Sequence, residues 1–197
     1  MMNAFLIGNS LYLRPLQEAD ADGDYVGWLN DPVVCAHNSH HIFPYNKNKA
    51  LAFIESTQTA TDKIVLAVCL KKNDLHIGNI SLQQIDLVNR SAEFAILLGN
   101  RQYWGKGVGK EAGQLLLKHG FMELNLHRIG CGTSAENTGM QRLALSLGMQ
   151  EEGRRRGASY KQGKHVDIIE YGILEEDFNH PSRSGRLSGS KENADVK

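Results

Sequence analysis

In the middle of this chain the hydrophobic spacing changes from that of strands to that of a helix, and this change limits the possible folds. Three extended apolar runs come first, separated only by short polar breaks, and cover residues 64–70, 77–85 and 92–98. Runs joined by such short connections pair as an antiparallel meander. After Gly107 the apolar side chains recur at the 3.6-residue period of a helix, at Val108, Ala112, Leu115 and Leu116. We therefore expect a meander that leads into a long helix.

The segments on either side of this centre give an α+β pattern. A first strand is expected at residues 10–14, ended by Pro15, whose missing N–H cannot continue a ladder. Two helices should follow, one capped by Asp20 and one around Ala50. After the long helix, Gly148 should end a further helix, and strands are expected at residues 127–133, 150–156 and 166–174. The predicted sheet is mixed: antiparallel at first, then parallel where the long helix connects its fourth and fifth strands, with helices at its sides.

Length and composition favour one domain that acts on small partners. A chain of 197 residues can bury a full core but is short for two ordinary domains. We expect a single domain over residues 1–179 and a disordered polar tail over residues 180–197, which has few apolar side chains. The formal net charge is zero, with 22 basic and 22 acidic side chains. No overall field therefore favours nucleic acid or an anionic membrane as a partner.

The opening residues and the cysteines point to a protein that is not secreted and holds no metal. No basic stretch precedes the first apolar residues, and no apolar run reaches about 18 residues, so a cytoplasmic location is expected. Three distant cysteines suggest neither a disulfide framework nor a zinc site. Three histidines lie close together in a polar segment: His37, His40 and His41. No acidic residue lies at the spacing that a metal site would need, so a surface loop is expected there.

A glycine-rich turn precedes the long helix and fits three motif templates to different degrees. Its sequence is Trp104-Gly105-Lys106-Gly107-Val108-Gly109-Lys110. A Walker A loop needs four residues between its glycines and then Lys with Ser or Thr, but three lie between Gly105 and Gly109, and Glu111 replaces the hydroxyl. The dinucleotide fingerprint G-x-G-x-x-A is satisfied from Gly107 to Ala112. That fingerprint belongs at the first turn of a parallel sheet, whereas here a meander precedes it.

The third template, Q/R-x-x-G-x-G/A, is matched at both of its glycines, Gly107 and Gly109. In this motif the backbone N–H groups of a strand-to-helix turn face a pyrophosphate. Glycine lets the backbone approach the phosphates without a Cβ in the way, and the helix dipole stabilises the anion. Trp104 stands where the motif has Gln or Arg. The alternative is a glycine turn that serves only helix packing.

Four stretches taken together resemble the GNAT acetyltransferase superfamily, and most closely its RimJ/RimL-like branch. They are Leu11 to Leu16 with Trp28 to Pro32, Ile77 to Leu82, Tyr103 to Ala112, and Asn137 with Leu147-Gly148-Met149 and Glu152-Gly153. The resemblance spans about residues 10 to 178. It implies a GNAT-like fold, in which the fourth and fifth strands splay apart, and acetyl-coenzyme A as cosubstrate. It also implies an amine acceptor: a protein N-terminal amine, a polyamine or an amino sugar.

The resemblance also implies which residues contact the donor. The pantetheine arm would lie in the opening between the splayed strands and pair with the backbone of Ile96, Leu97 and Leu98. The pyrophosphate would lie on the turn formed by Trp104, Gly105, Lys106, Gly107, Val108, Gly109 and Lys110. Asn137 stands where the family has an asparagine that contacts the pantetheine arm or the amine. Since Asn is also a preferred N-cap residue, a helix cap is the alternative, and both can hold at once.

Transfer of an acetyl group to an amine needs a base, a group that polarises the thioester oxygen, and an acid for the thiolate. Glu93 is the candidate base, because strand alternation places it opposite the Phe94 face on the strand that leads to the donor turn. Many relatives have a tyrosine or a serine as the acid, but those positions hold Ala144 and Met140. Solvent or another hydroxyl must then supply the proton, the candidates being Ser134, Ser146 and Tyr160.

Three functions compete at this stage. The first is an N-acetyltransferase in which the amine attacks acetyl-coenzyme A directly in a ternary complex. The second is an acyl-coenzyme A sensor without turnover, which the missing acid favours and which Glu93 argues against. The third is a nicotinamide-dependent oxidoreductase, based on the weaker fingerprint. The sequence pattern leaves a monomer and a homodimer equally open.

Overall fold

The computed structural model describes residues 3–179, in which one eight-stranded sheet carries helices on both faces. The strand order is β1-β2-β3-β4-β5-β6-β8-β7. The strands are β1 (Leu6–Ile7), β2 (Leu11–Pro15), β3 (Ile64–Leu70), β4 (His76–Asp86), β5 (Ser91–Leu97), β6 (Arg128–Ser134), β7 (Gln150–Lys161) and β8 (Lys164–Leu174). The α-helices are α1 (Tyr25–Asn30), α2 (Lys47–Gln58), α3 (Val108–Met122), α4 (Thr138–Ser146) and α5 (Glu175–Asn179), and 3-10 turns cover Glu18–Asp22 and Arg101–Tyr103. The predicted tail at residues 180–197 lies outside the described residues.

The predicted mixed sheet is confirmed. Strands β2 to β5 form the antiparallel meander, with β2 against β3, β3 against β4 and β4 against β5. The pair of β5 and β6 is parallel, because helix α3 returns the chain to the same end of the sheet. Strand β8 then pairs antiparallel with β6, and β7 forms the outer edge. The dinucleotide-binding alternative needs a doubly wound parallel sheet, and this sheet is not one.

The two parallel strands stay together over only three residues. Pairing runs from Ser91 with Arg128 to Glu93 with Gly130, and no further pair joins these strands. Strand β5 nevertheless continues to Leu97, and β6 continues to Ser134 along its other neighbour, β8. The strands therefore splay apart after Glu93. The backbone of β5 beyond this point faces an opening on its β6 side.

Each face of the sheet has its own hydrophobic core. Helices α3 and α4 cover one face, where Leu13, Leu82, Phe94, Leu116 and Ile129 pack together. The helices α1 and α2 cover part of the opposite face, where the core contains Tyr12, Tyr25, Trp28, Ile54 and Ala67. Alternation along β5 therefore directs Phe94 toward α3 and Glu93 toward the other face.

Three local predictions were wrong or incomplete. Pro15 belongs to β2, where it pairs with Leu66 as the last residue of the strand. Asp20 does not cap an α-helix but lies buried inside the first 3-10 turn, where its carboxylate accepts a hydrogen bond from the Gln17 backbone N–H at 2.8 Å. The two-residue strand β1 was not predicted, because a strand so short carries no alternating pattern.

A buried ion pair joins the start of the chain to strand β4. The Arg14 guanidinium contacts both carboxylate oxygens of Asp20, at 2.6 and 2.8 Å, and the His76 ring lies 3.3 Å from the same carboxylate. Burial alone would raise the pKa of Asp20, but hydrogen bonds from Arg14, His76 and Gln17 outweigh it and hold that pKa well below its usual range. This cluster fixes the end of the sheet at which the donor turn begins.

Trp28 connects the same cluster to the end of β5. Its ring packs edge-on against the His76 ring, with 5.0 Å between centroids. On its other side it covers Gly99, where a Cβ would lie 1.8 Å from the indole. Only glycine permits this approach. Helix α1 and the end of β5 are therefore held in contact.

Candidate active site

The donor turn (residues 104–110) connects the end of β5 to helix α3, and its conformation depends on glycine. The Trp104 indole N–H donates to the Leu98 carbonyl at 2.7 Å and so ties the turn to β5. Gly105 has a φ of +70° and Gly107 a φ of +80°, a left-handed conformation that side chains with a Cβ rarely adopt. Gly107 is the N-cap of α3 and makes no side-chain cap. The first turn of the helix is therefore left open.

Several backbone N–H groups of the donor turn find no acceptor in the part of the chain that the structure describes. Within residues 3–179 no hydrogen bond leaves the N–H groups of Gly105, Gly107, Val108, Gly109 or Lys110, whereas the Glu111 N–H already bonds to the Gly107 carbonyl. Nothing lies within 4 Å of where a Cβ on Gly105 or Gly107 would be. Unpaired N–H groups at the positive end of a 15-residue helix, facing open space, form a site for an anion.

Cationic side chains surround the turn, and the nearest carboxylate is turned away from it. The Lys106 ammonium lies 5.7 Å from the centre of the Tyr103 ring, and the Arg101 guanidinium lies 5.9 Å from the Trp104 ring. Lys110 is exposed on the first turn of α3. The Glu111 carboxylate accepts hydrogen bonds from the Ser10 N–H at 2.8 Å and the Ser10 hydroxyl at 2.5 Å. Glu111 therefore anchors α3 to the start of β2.

Ile96, Leu97 and Leu98 lie beside the opening between β5 and β6. On the other side of β5, Ile96 pairs with Ile80 and Leu97 with Asn79. No strand among the described residues pairs with the β6 side of this segment. The Leu98 carbonyl already accepts the Trp104 indole. Backbone groups at residues 96 and 97 are thus the better placed to bind an extended ligand arm.

Asn137 caps helix α4. Its side-chain oxygen accepts the Met140 N–H at 3.1 Å, as expected for an N-cap. No acceptor for its amide NH₂ is found among residues 3–179. The helix-cap alternative therefore holds, and the amide group is still free to contact a ligand.

Glu93 lies on the floor of an open trough on the face opposite α3. This cavity of about 300 Å³ lies over β5, β6 and β8, and Glu152, Glu170, Arg128 and Arg155 also line it. Arg155 pairs with Glu170 at 2.5 Å and Arg128 pairs with Glu152, whereas within residues 3–179 Glu93 accepts only the neutral Gln84 amide, at 3.1 Å. Glu93 is exposed and is the last residue of β5 that pairs with β6.

The three hydroxyls that could replace the missing acid lie in different surroundings. The Ser146 hydroxyl donates to the Leu143 carbonyl at 2.8 Å on the exposed side of α4. Tyr160 is 62% exposed, and its ring packs at a tilt against the His165 ring in the β7–β8 hairpin. Ser134 is buried at the end of β6, where its oxygen accepts the Glu136 N–H at 3.2 Å, and no acceptor for its proton is found within residues 3–179. Ser134 alone combines a position at the splayed strand with a free hydroxyl proton.

Two features of the site were missed from the sequence. The Arg14, Asp20 and His76 cluster brings together residues up to 62 positions apart, and no local motif signals it. The second is Lys161, whose ammonium donates to the carbonyls of Asn38 at 3.0 Å and His40 at 2.7 Å; no pattern in the sequence predicts these contacts. Among the described residues, no group of three or more potential metal-binding side chains was found, and no helix is long and apolar enough to cross a membrane.

A family comparison identifies the class of protein that this fold and turn define. The model described as "Acetyltransferase (GNAT) domain" matches residues 10–150, which include the meander, the donor turn, β6 and α4. The chain therefore belongs to the GNAT acetyltransferase family, as the sequence motifs indicated. It is an acetyl-coenzyme A-dependent N-acetyltransferase, and acetyl-coenzyme A is its cosubstrate.

Individual relatives agree with this membership. An uncharacterized N-acetyltransferase p20 of Bacillus licheniformis is 36% identical over 172 residues, covering 85% of this chain and 94% of the relative. A spermidine N(1)-acetyltransferase of Vibrio cholerae is 30% identical over 102 residues, covering 52% of this chain and 58% of the relative. The crystal structure of spermidine N-acetyltransferase from Vibrio cholerae with CoA and spermine has a TM-score of 0.79 at 23% identity, covering 87% of this chain and 99% of that one. It supports the fold.

Proposed function

We propose that this enzyme acetylates a primary amine of a polyamine, a protein N-terminus or an amino sugar, by direct attack of the amine on acetyl-coenzyme A. The observation that carries the proposal is the set of unpaired N–H groups on the donor turn, directly beside the opening between β5 and β6. In this arrangement the pyrophosphate binds at residues 104–110, and the pantetheine arm runs along Ile96, Leu97 and Leu98. The Asn137 amide donates to that arm.

The cysteines favour direct attack over an acetylated enzyme. A nucleophilic cysteine must be a thiolate, and burial in apolar surroundings opposes ionisation. Burial, together with the smaller effect of the negative charges of Glu170, Glu93 and Glu152, raises the pKa of Cys131, the cysteine on β6, to about 12. Burial also raises the pKa of Cys35 and of Cys69. The acetyl group then passes from sulfur to the amine within one ternary complex.

Glu93 acts as the base through water. It faces the trough side of the sheet and lies three residues before Ile96, roughly 10 Å along the strand. A chain of hydrogen-bonded waters in the trough can relay the ammonium proton over this distance to the carboxylate, and the free amine then attacks the thioester carbon. A backbone N–H near Ile96 polarises the thioester oxygen. As the carbon–sulfur bond breaks, the Ser134 hydroxyl donates a hydrogen bond to the departing sulfur, which takes its proton from solvent.

The acceptor is a primary amine, and relatives support two of its forms. Some relatives are named spermidine N(1)-acetyltransferases. Another relative is named a putative ribosomal N-acetyltransferase, from Bacillus subtilis; it is 32% identical over 101 residues, covering 51% of this chain and 55% of the relative. Three carboxylates and two arginines in the trough give it a net negative charge, which suits a cationic acceptor. The enzyme is proposed to work in the cytoplasm, within the RimJ/RimL-like branch, as a monomer or a homodimer.

A coenzyme A release assay tests this proposal. The purified enzyme is incubated with acetyl-coenzyme A and one amine at a time: spermidine, short peptides with a free N-terminus, and a nucleotide-linked amino sugar. Free thiol and acetylated amine are both measured. We expect equal amounts of the two products with at least one amine. If acetyl-coenzyme A binds but no amine yields either product, the protein is an acyl-coenzyme A sensor without turnover.

A further inference from the structure

The segment between α1 and α2 closes over the end of β6 but is weakly held by packing. Its first half is anchored, since Val34 and Cys35 are buried and the Cys35 thiol contacts the Trp28 carbonyl. The following part, residues 36–44, is here named the strap. The side chains of Ile42 and Phe43 in the strap are 64% and 77% exposed. Hydrophobic burial therefore contributes little to its position.

Polar contacts hold the strap instead, and the one that crosses to the sheet comes from Lys161. The Lys161 ammonium donates to the Asn38 and His40 carbonyls, at 3.0 and 2.7 Å, across a separation of more than 120 residues. Lys49 donates to the Pro44 carbonyl at 2.8 Å from the opposite end, on α2. Among the described residues, the bonds from Lys161 and Lys49 are the side-chain hydrogen bonds that reach the strap from other elements. Lys161 thus joins the middle of the strap to the β7–β8 hairpin.

A small cavity lies beneath this link, next to the proposed reaction centre. It has a volume of about 60 Å³ and lies between His37 and Asn38 of the strap, Ser134 and Glu136 at the end of β6, and Lys161 of the hairpin. A volume of this size holds a few waters, each of which needs about 10–15 Å³. It cannot hold an amine together with the chain that carries it. An acceptor that reaches Ser134 from this side must therefore displace the strap.

We propose that the strap is a gate over the acceptor and that Lys161 is the latch that closes it, an inference that rests on the proposed function. When the latch forms, Lys161 spans the cavity and keeps the strap over it, so that the amine cannot enter from this side. Lys161 acts through the strap carbonyls and touches no reacting atom, so it is a positioning residue. Its ammonium is well suited to this role because it can donate to two carbonyl oxygens at once.

Kinetics of Lys161→Met test the latch, with Lys161→Arg as the conservative variant. Because the acceptor must break these hydrogen bonds from a charged group to displace the strap, their loss should lower the KM for the acceptor about tenfold. The kcat and the dissociation constant of acetyl-coenzyme A should change less than about twofold, because the donor turn is made by other residues. Lys161→Arg should restore most of the KM. Arg156→Met removes the same charge from an exposed position on β7 and should leave all three constants unchanged.

Hydrogen exchange of the free enzyme tests the same inference without turnover. Lys161→Met should speed amide exchange within residues 36–44, while exchange in α3 and β5 stays the same. If the KM is unchanged or rises, or if the strap exchanges as in the natural chain, Lys161 is not a latch. If no amine is acetylated by the natural chain, the proposed function fails. The exchange result then still shows whether Lys161 holds the strap.

Discussion

The donor turn follows β5 and the strap covers the end of β6, the two strands that splay apart, and these two regions are built in different ways. The donor turn consists of seven consecutive residues, and its unpaired N–H groups belong to the backbone. The strap and the hairpin that holds it meet through one side chain across more than 120 residues. A backbone site tolerates changes in most side chains, whereas a side-chain link is lost with a single substitution. We expect the donor site to be the more robust of the two.

The largest effect should come from the buried ion pair that supports both regions. Asp20→Asn leaves the Arg14 guanidinium buried without its carboxylate, which should cost about 3 kcal/mol of unfolding free energy. Urea denaturation measures this loss. Because Trp28 and His76 connect the cluster to the end of β5, the KM values for donor and acceptor should both rise. A rise in only one of them would mean that the cluster supports one region alone.

The same pair should make stability depend on acid. The folded pKa of Asp20 is depressed, so its contribution is complete above the unfolded pKa of about 4 and is lost as the pH falls toward the lower folded value. The difference in unfolding free energy between the natural chain and Asp20→Asn should therefore shrink between pH 6 and pH 3. An equal difference at both pH values would show that folding does not lower the pKa of Asp20.

The donor turn could be predicted from the sequence and the strap contact could not, because the first is one continuous segment and the second joins distant residues. The glycines of the donor turn and the helix after it form one continuous motif, so their position and conformation could be predicted. The meander could be predicted as well, because buried strands such as Ile64–Leu70 carry an unbroken apolar pattern. Lys161 could not be assigned, since nothing near it indicates that its partners are Asn38 and His40. The Asp20 carboxylate resembled a helix cap because pattern alone cannot show that Arg14 lies beside it.

Substitution of the donor turn should remove donor binding and leave the acceptor side intact. Acetyl-coenzyme A at about 100 times its dissociation constant should stabilise the natural chain by ~2.7 kcal/mol, a shift of several degrees in Tm. Gly107→Glu should abolish this shift, since its carboxylate repels the pyrophosphate. Gly163→Glu is the matched control, because Gly163 also has a positive φ of +81° and open space around it. A shift that survives in Gly107→Glu would place the pyrophosphate elsewhere.

Glu93→Gln should slow catalysis without weakening either ligand. Removal of a general base lowers kcat by about 100-fold or more, and the Gln84 amide can still bond to the new side chain. Neither the dissociation constant of acetyl-coenzyme A nor the acceptor KM should change by more than about twofold. Glu170→Gln is a control in the same trough, because that carboxylate is already paired with Arg155. Equal losses in the two variants would point to the charge of the trough rather than to a base at Glu93.

The smallest effect should come from Ser134, where the opening and the small cavity beneath the strap meet. Ser134→Ala removes one neutral hydrogen bond to the departing sulfur, worth about tenfold in kcat. Ser146→Ala removes the same group from the exposed side of α4 and should leave kcat unchanged. The loss at Ser134 should also be greater for slow acceptors, in which breakage of the carbon–sulfur bond limits the rate. If Ser134→Ala instead raises the acceptor KM at constant kcat, Ser134 belongs to the wall of the acceptor site, and solvent alone serves the thiolate.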